Sequence, residues 1–126
     1  ALELARFLQS LGGDIEVNYP GLEESPYHEI AKKQFKNGYG AIVTVRTGSK
    51  EKAFSIINSL KIPLIISNIG DTKTLVIHPE STIAAHISDE EKLQSGVFED
   101  LIRISVGIED IEDLKRDFKE AIESNR

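Results

Sequence analysis

The sequence contains no cysteine, which removes disulfides and thiolate metal sites from consideration and suits a reducing, cytoplasmic setting. It also contains no methionine, so the chain opens on Ala1 rather than on an initiator residue. No apolar run approaches the roughly 20 residues needed to cross a bilayer, and the first residues lack a signal-peptide pattern. Basic residues are in short supply, with 15 Lys and Arg against 21 Asp and Glu, a net charge of −6. A nucleic-acid binder needs a concentrated basic face. Lys32 and Lys33 are the one basic pair near an aromatic, and a solvated helix face accounts for them. Neither a membrane nor a nucleic acid is therefore an expected partner.

What is present describes one soluble domain. A chain of 126 residues, 40% hydrophobic and 29% charged, is long enough for a single core and too short for two. Leu4, Phe7, Leu8 and Leu11 recur at helical spacing, yet Ala1 begins that helix with no capping residue ahead of it. A helix that starts in mid-pattern suggests a chain cut from something longer. Gly12-Gly13 ends it, and Asp14 to Tyr19 alternates as a short strand. Ser25-Pro26 reads as a cap and first helical residue, opening a helix that carries Tyr27, Ile30, Ala31 and Phe35 and stops at Asn37-Gly38.

The β-branched stretch Gly40 to Arg46 reads as a central strand. Ser49 caps a helix whose Ala53, Ile56, Ile57 and Leu60 share a face. Leu64 to Ser67 and Leu75 to His78 are two more strands, expected as an antiparallel pair. Ser88-Asp89-Glu90-Glu91 has the capping-box spacing, and Gly96 closes that short helix. Leu101 to Val106 is the last strand. Asp110 then caps a helix with the stripe Ile111, Leu114, Phe118, Ala121 and Ile122. Five strands and five helices, with no internal repeat, predict an α+β domain with a mostly antiparallel sheet and helices on one face.

Arg103 is the leading candidate for chemistry. Alternation along Leu101 to Val106 places Ile102, Ile104 and Val106 on the core face and sends Arg103 and Ser105 to the other. An arginine on a rigid strand offers a planar fork that pairs bidentately with a carboxylate. The bare pattern fits an arginine paired with a nearby Glu or Asp better. Asn68 before Gly70 is equally at home in a simple turn. His78 precedes Pro79 at a strand end and suits a turn support, while His28, His78 and His86 show no ligand spacing for a metal. Ser49-x-x-Lys52 imitates the spacing around a Schiff-base lysine, but Lys52 is expected on an exposed first helical turn, without the burial or cationic neighbours that lower an amine pKa. Gly38-Tyr39-Gly40 lacks the rest of a dinucleotide loop.

Asn68-Ile69-Gly70-Asp71-Thr72-Lys73-Thr74-Leu75-Val76-Ile77-His78-Pro79-Glu80-Ser81-Thr82 and Leu101-Ile102-Arg103-Ile104-Ser105-Val106-Gly107-Ile108-Glu109-Asp110 together resemble the C-terminal domain of the pyridoxal-phosphate (PLP) enzymes of cysteine and methionine metabolism. The match is nearest the O-acetylhomoserine sulfhydrylase branch. Asn18 to Leu22, Pro26 to Lys33 and Gly38 to Val45 follow the same pattern less specifically. Ile83 and Ala84 depart from the Thr-His pair frequent after the Ser-Thr.

The resemblance implies that Arg103 binds the substrate α-carboxylate. It also implies that Asn68, where the cystathionine-processing branch carries serine, assists Arg103 or approaches the cofactor. Residues 1–126 would be the substrate-binding part of a larger two-domain enzyme, inert alone, whose upstream domain holds PLP on a lysine absent here. The implied reaction is replacement of acetate on O-acetylhomoserine by sulfide or a thiol, giving homocysteine for methionine biosynthesis, in a cytoplasmic homotetramer. Other branches (cystathionine γ-synthase, cystathionine γ-lyase, methionine γ-lyase) are alternatives. So is a free-standing module that senses an amino acid through Arg103.

Overall fold

Alternation and capping determine where the chain changes direction. The computed structural model describes all residues 1–126. Helix α1 (Leu2–Leu11) begins without a side-chain cap and ends at Gly12, whose positive φ of 62° glycine tolerates without strain. Strand β1 (Glu16–Asn18) follows, then helix α2 (His28–Gln34) and strand β2 (Ile42–Arg46). Helix α3 (Lys50–Ser59) starts where the Ser49 hydroxyl accepts from the Lys52 amide at 3.2 Å. Strands β3 (Leu64–Ile65) and β4 (Leu75–Ile77) precede helix α4 (Asp89–Gln94), which carries the full Ser88–Glu91 capping box. Strand β5 (Leu101–Ser105) leads to helix α5 (Ile111–Glu123), capped by Asp110 on the amides of Glu112 and Asp113.

The sheet order is β1-β2-β5-β4-β3, so β5 is interior although it is last in sequence. Its partners β2 and β4 are both antiparallel to it, as β1 is to β2. One face packs Val43, Val45, Val76, Ile102 and Ile104 against Leu4 and Leu8 of α1, Ala53 and Ile56 of α3, and Leu114 and Phe118 of α5. These buried residues belong to the expected stripes, whose Phe7, Leu11, Leu60 and Ile111 are partly buried against them. The side chain of Asp117, itself buried, reaches from α5 to the end of α3. Its carboxylate accepts from the amides of Lys61 at 3.1 Å and Ile62 at 2.8 Å, satisfying donors that leave the helix before β3. No helix is long and apolar enough to cross a membrane.

Three expectations are corrected. The β3–β4 pair is parallel, with Leu64 opposite Leu75. Residues 66–74 do not form a tight hairpin turn. They run out and back, so β4 starts beside the start of β3 and the Leu64 amide donates to the Thr74 carbonyl at 3.0 Å. Helix α2 starts at His28 rather than at Pro26. The Ser25 hydroxyl takes the Tyr27 amide and its carbonyl takes that of His28, closing a turn where a cap was expected. Of the α2 stripe only Ala31 is buried, leaving Tyr27, Ile30 and Phe35 exposed.

Asp117→Ala strips two partly buried amides of a charged acceptor. It is expected to cost about 2–3 kcal/mol in urea unfolding, with Asp117→Asn costing less because one acceptor oxygen remains.

Candidate functional site

The pleat of β5 places Arg103 on the sheet face opposite the helices, half-buried, with Thr44 of β2 and Ile77 of β4 as its cross-strand neighbours. Neither neighbour carries charge. No carboxylate comes within 4.0 Å of its guanidinium, so the local acid partner that the bare pattern favoured is absent. Its one side-chain hydrogen bond is long, Nη2 donating to the Asn68 carbonyl at 3.4 Å. The two residues singled out in the sequence are thus brought together across 35 positions. Asn68 is exposed. Its Oδ1 accepts from the Ile69 amide at 2.9 Å, a turn contact, while its side-chain NH2 has no protein partner. A carboxylate at Arg103 would meet a planar fork with uncommitted donors.

The loop that carries Asn68 is held along the end of β5. Ser105, 1% exposed, accepts the Gly70 amide on Oγ at 3.1 Å. The Ile108 amide donates to the Thr72 carbonyl at 2.9 Å. The Glu109 carboxylate takes the Thr74 amide at 2.8 Å and the Thr74 hydroxyl at 2.7 Å, and that hydroxyl accepts from the Gly107 amide at 2.9 Å. Partial burial raises the Glu109 pKa, but the Thr74 bonds outweigh it and the carboxyl lies below the ordinary range. Glycine is required at 107, since a Cβ there would run into the Thr72 carbonyl and the Lys73 backbone at 2.6 Å. Ser105, Thr74 and Glu109 were not picked out by pattern. Ser105 shares a face with Arg103, the one signal that pointed to it.

Other polar clusters are closed. A cleft of about 610 Å³ is lined by Arg46, Lys50, Glu80, Lys92, Phe98 and Asp100, among others, but not by Arg103 or Asn68. Every cation in it has an acid: Arg46 Nε lies 3.0 Å from Asp100, and Lys50 and Lys92 each donate to Glu80 at 2.8 Å. Arg46 also stacks 4.1 Å above the Phe98 ring. His78 is buried, with Nδ1 on the Ser81 hydroxyl at 2.7 Å and Nε2 on the Glu99 carbonyl at 2.6 Å, which makes Nε2 the protonated nitrogen. It supports the turn. Lys52 corrects an expectation: it is not exposed but half-buried, its Nζ 2.8 Å from Asp14. An amine that is to hold PLP must be available unprotonated. Lys50, Lys52 and Lys92 are instead each engaged in an ion pair with a carboxylate.

An interior strand thus presents an arginine without an acid partner next to an asparagine turn, on a five-stranded α+β domain. The chain belongs to the Cys/Met metabolism PLP-dependent enzymes, whose family model matches residues 1–123. It is 43% identical to a homocysteine synthase of Schizosaccharomyces pombe over 124 residues, which make up 98% of this chain and 29% of that protein. A crystal structure of a putative O-acetylhomoserine (thiol)-lyase of Campylobacter jejuni, containing N'-pyridoxyl-lysine-5'-monophosphate, superimposes with a TM-score of 0.91 at 37% identity. That match covers 96% of this chain and 29% of the other. Yeast cystathionine γ-lyase gives 0.92 at 33% identity, over 98% and 32%. The chain therefore spans about three tenths of the length of these relatives.

The doubly paired Glu80 gives an acid-stability signature. Hydrogen bonds from Lys50 and then Lys92 lower its pKa to about 2. A depressed carboxyl pKa contributes stability in full above the ordinary glutamate range, and that contribution is lost as pH falls toward about 2. Glu80→Gln should lower stability at neutral pH, and the gap to wild type should close by about pH 2 in urea titrations.

Proposed function

We propose that this chain is the C-terminal, substrate-binding domain of an O-acetylhomoserine sulfhydrylase-type enzyme. Its reaction would be replacement of the acetate of O-acetylhomoserine by sulfide or a thiol, giving homocysteine. The carrying observation is Arg103, a strand-held guanidinium with no carboxylate partner in a chain of net charge −6, touching the backbone of Asn68, whose side-chain NH2 has no protein partner. Arg103 binds the α-carboxylate by its fork, and the Asn68 side chain donates to the same group. Anchoring that end fixes the amino-acid backbone, so that its reacting carbons keep one orientation while the γ-substituent is exchanged. Such positioning contributes several kcal/mol to a barrier. PLP, the cofactor of the family, supplies the electron sink when bound.

The lysine that holds PLP lies, on this reading, in the remainder of a larger two-domain polypeptide. The ion-paired state of Lys50, Lys52 and Lys92 supports this. The enzyme acts in the cytoplasm as a homotetramer, and residues 1–126 alone are inactive. A cystathionine γ-lyase is the second reading, supported by the equal backbone likeness to that enzyme. The Asn68-Ile69-Gly70 triplet favours the sulfhydrylase.

In the full-length enzyme, Arg103→Lys loses the bidentate fork and should raise KM for O-acetylhomoserine by about tenfold or more, the equivalent of roughly 1.5–3 kcal/mol, with kcat changing less. A wild-type KM in that variant sinks the assignment. Peptide mapping after borohydride reduction should find the pyridoxyl group on a lysine outside residues 1–126; finding it on Lys50, Lys52 or Lys92 would refute the domain reading.

A further inference from the structure

We propose that Glu109 is a positioning residue for the carboxylate site, acting through Thr74 to hold the Asn68 loop against the end of β5. The inference rests on the reading of Arg103 as the carboxylate ligand. Asn68 and Arg103 meet through one long bond of 3.4 Å, too weak to hold the loop in place. What holds the loop is the row of contacts behind it: Gly70 on Ser105, Thr72 on Ile108, and Thr74 on Glu109. The Glu109 bonds differ from the rest. They are charge-assisted and bidentate, taking both the amide and the hydroxyl of Thr74. The same hydroxyl accepts from Gly107, so Thr74, which is 0% exposed, links loop and strand end through one oxygen.

Thr74 also begins the return into β4, whose Ile77 flanks Arg103. Releasing it leaves the loop of residues 66–74, Asn68 among them, on the two neutral bonds at Ser105 and Ile108, with the core face of β4 and β5 still packed. The expected consequence falls on substrate binding rather than on the chemical step. Glu109 touches neither Arg103 nor any group that would contact substrate.

The test uses the full-length PLP-loaded enzyme and steady-state kinetics with O-acetylhomoserine. Glu109→Ala and Thr74→Val should each raise KM by about tenfold while kcat stays within about twofold. Thr74→Ser keeps the hydroxyl and should stay within about twofold of wild type in both. Arg103→Lys is measured in parallel. If it raises KM while Glu109→Ala and Thr74→Val do not, or if they lower kcat at unchanged KM, the positioning role is overturned and the Arg103 reading survives. If Arg103→Lys itself leaves KM unchanged, the parent reading has failed and this inference falls with it. Should Glu109→Ala not fold, the contrast between Thr74→Val and Thr74→Ser decides, because the two residues differ little in bulk and only one carries a hydroxyl.

Discussion

The register of β5 is the constraint on which the rest depends. This strand is hydrogen-bonded on both sides, to β2 and to β4, so its pleat cannot shift without breaking two ladders at once. A slip of one residue would drive Arg103 into the helical core and turn Ile102 and Ile104 out to solvent. An unpaired guanidinium in that core would cost far more than the sheet gains from the slip. The same hydrophobic alternation that keeps the core dry therefore fixes the arginine on the opposite face. Burial and presentation are two consequences of one register.

Much of this was legible because it is local. The stripes of α1, α3 and α5 and the caps at Ser49, Ser88 and Asp110 depend on residues within a few positions of one another, and each formed as expected. The direction of β3 against β4 was not legible, since it is set by a loop anchored to Ser105, Ile108 and Glu109 more than thirty residues onward. Helix α2 misled for a related reason. Its apolar spacing is helical, but sheet and core are complete without it, and Tyr27, Ile30 and Phe35 stay exposed. For the site, alternation told which way Arg103 points. Which side chains flank it could not be read, because Thr44 and Ile77 become neighbours only through the strand order.

Charge pairing sets Arg103 apart from the other cations that are partly withdrawn from water along the sheet and its cleft. Arg46, Lys50, Lys52 and Lys92 are all at least partly withdrawn from water, and each has a carboxylate within 3.0 Å. Removing either partner would leave a poorly solvated charge, so these pairs hold segments together rather than await a guest. Arg103 sits between uncharged neighbours in a chain with six more acids than bases, and still has no acid. An acidic protein would readily supply a partner. Thr44 and Ile77 at the flanking positions supply none, which on the proposed reading leaves the fork to the substrate carboxylate.

Whether such an anion is held firmly depends on water. An arginine–carboxylate pair on an open surface gains about 0–1 kcal/mol, because solvent screens both charges. The same bidentate pair shielded from solvent contributes more, since the effective dielectric falls. Here Arg103 is half-buried, Asn68 is exposed, and the apolar side chains of Ile66 and Ile69 beside it are 46% and 55% exposed. This face has directional hydrogen-bonding groups without the cover that would make their bonds strong. On the proposed reading, the cover comes from the remainder of the polypeptide, which would exclude water from the fork as it delivers the cofactor. Orientation is then supplied by this domain and affinity by its enclosure, which is why the carboxylate contact should be expressed in KM only in the complete enzyme.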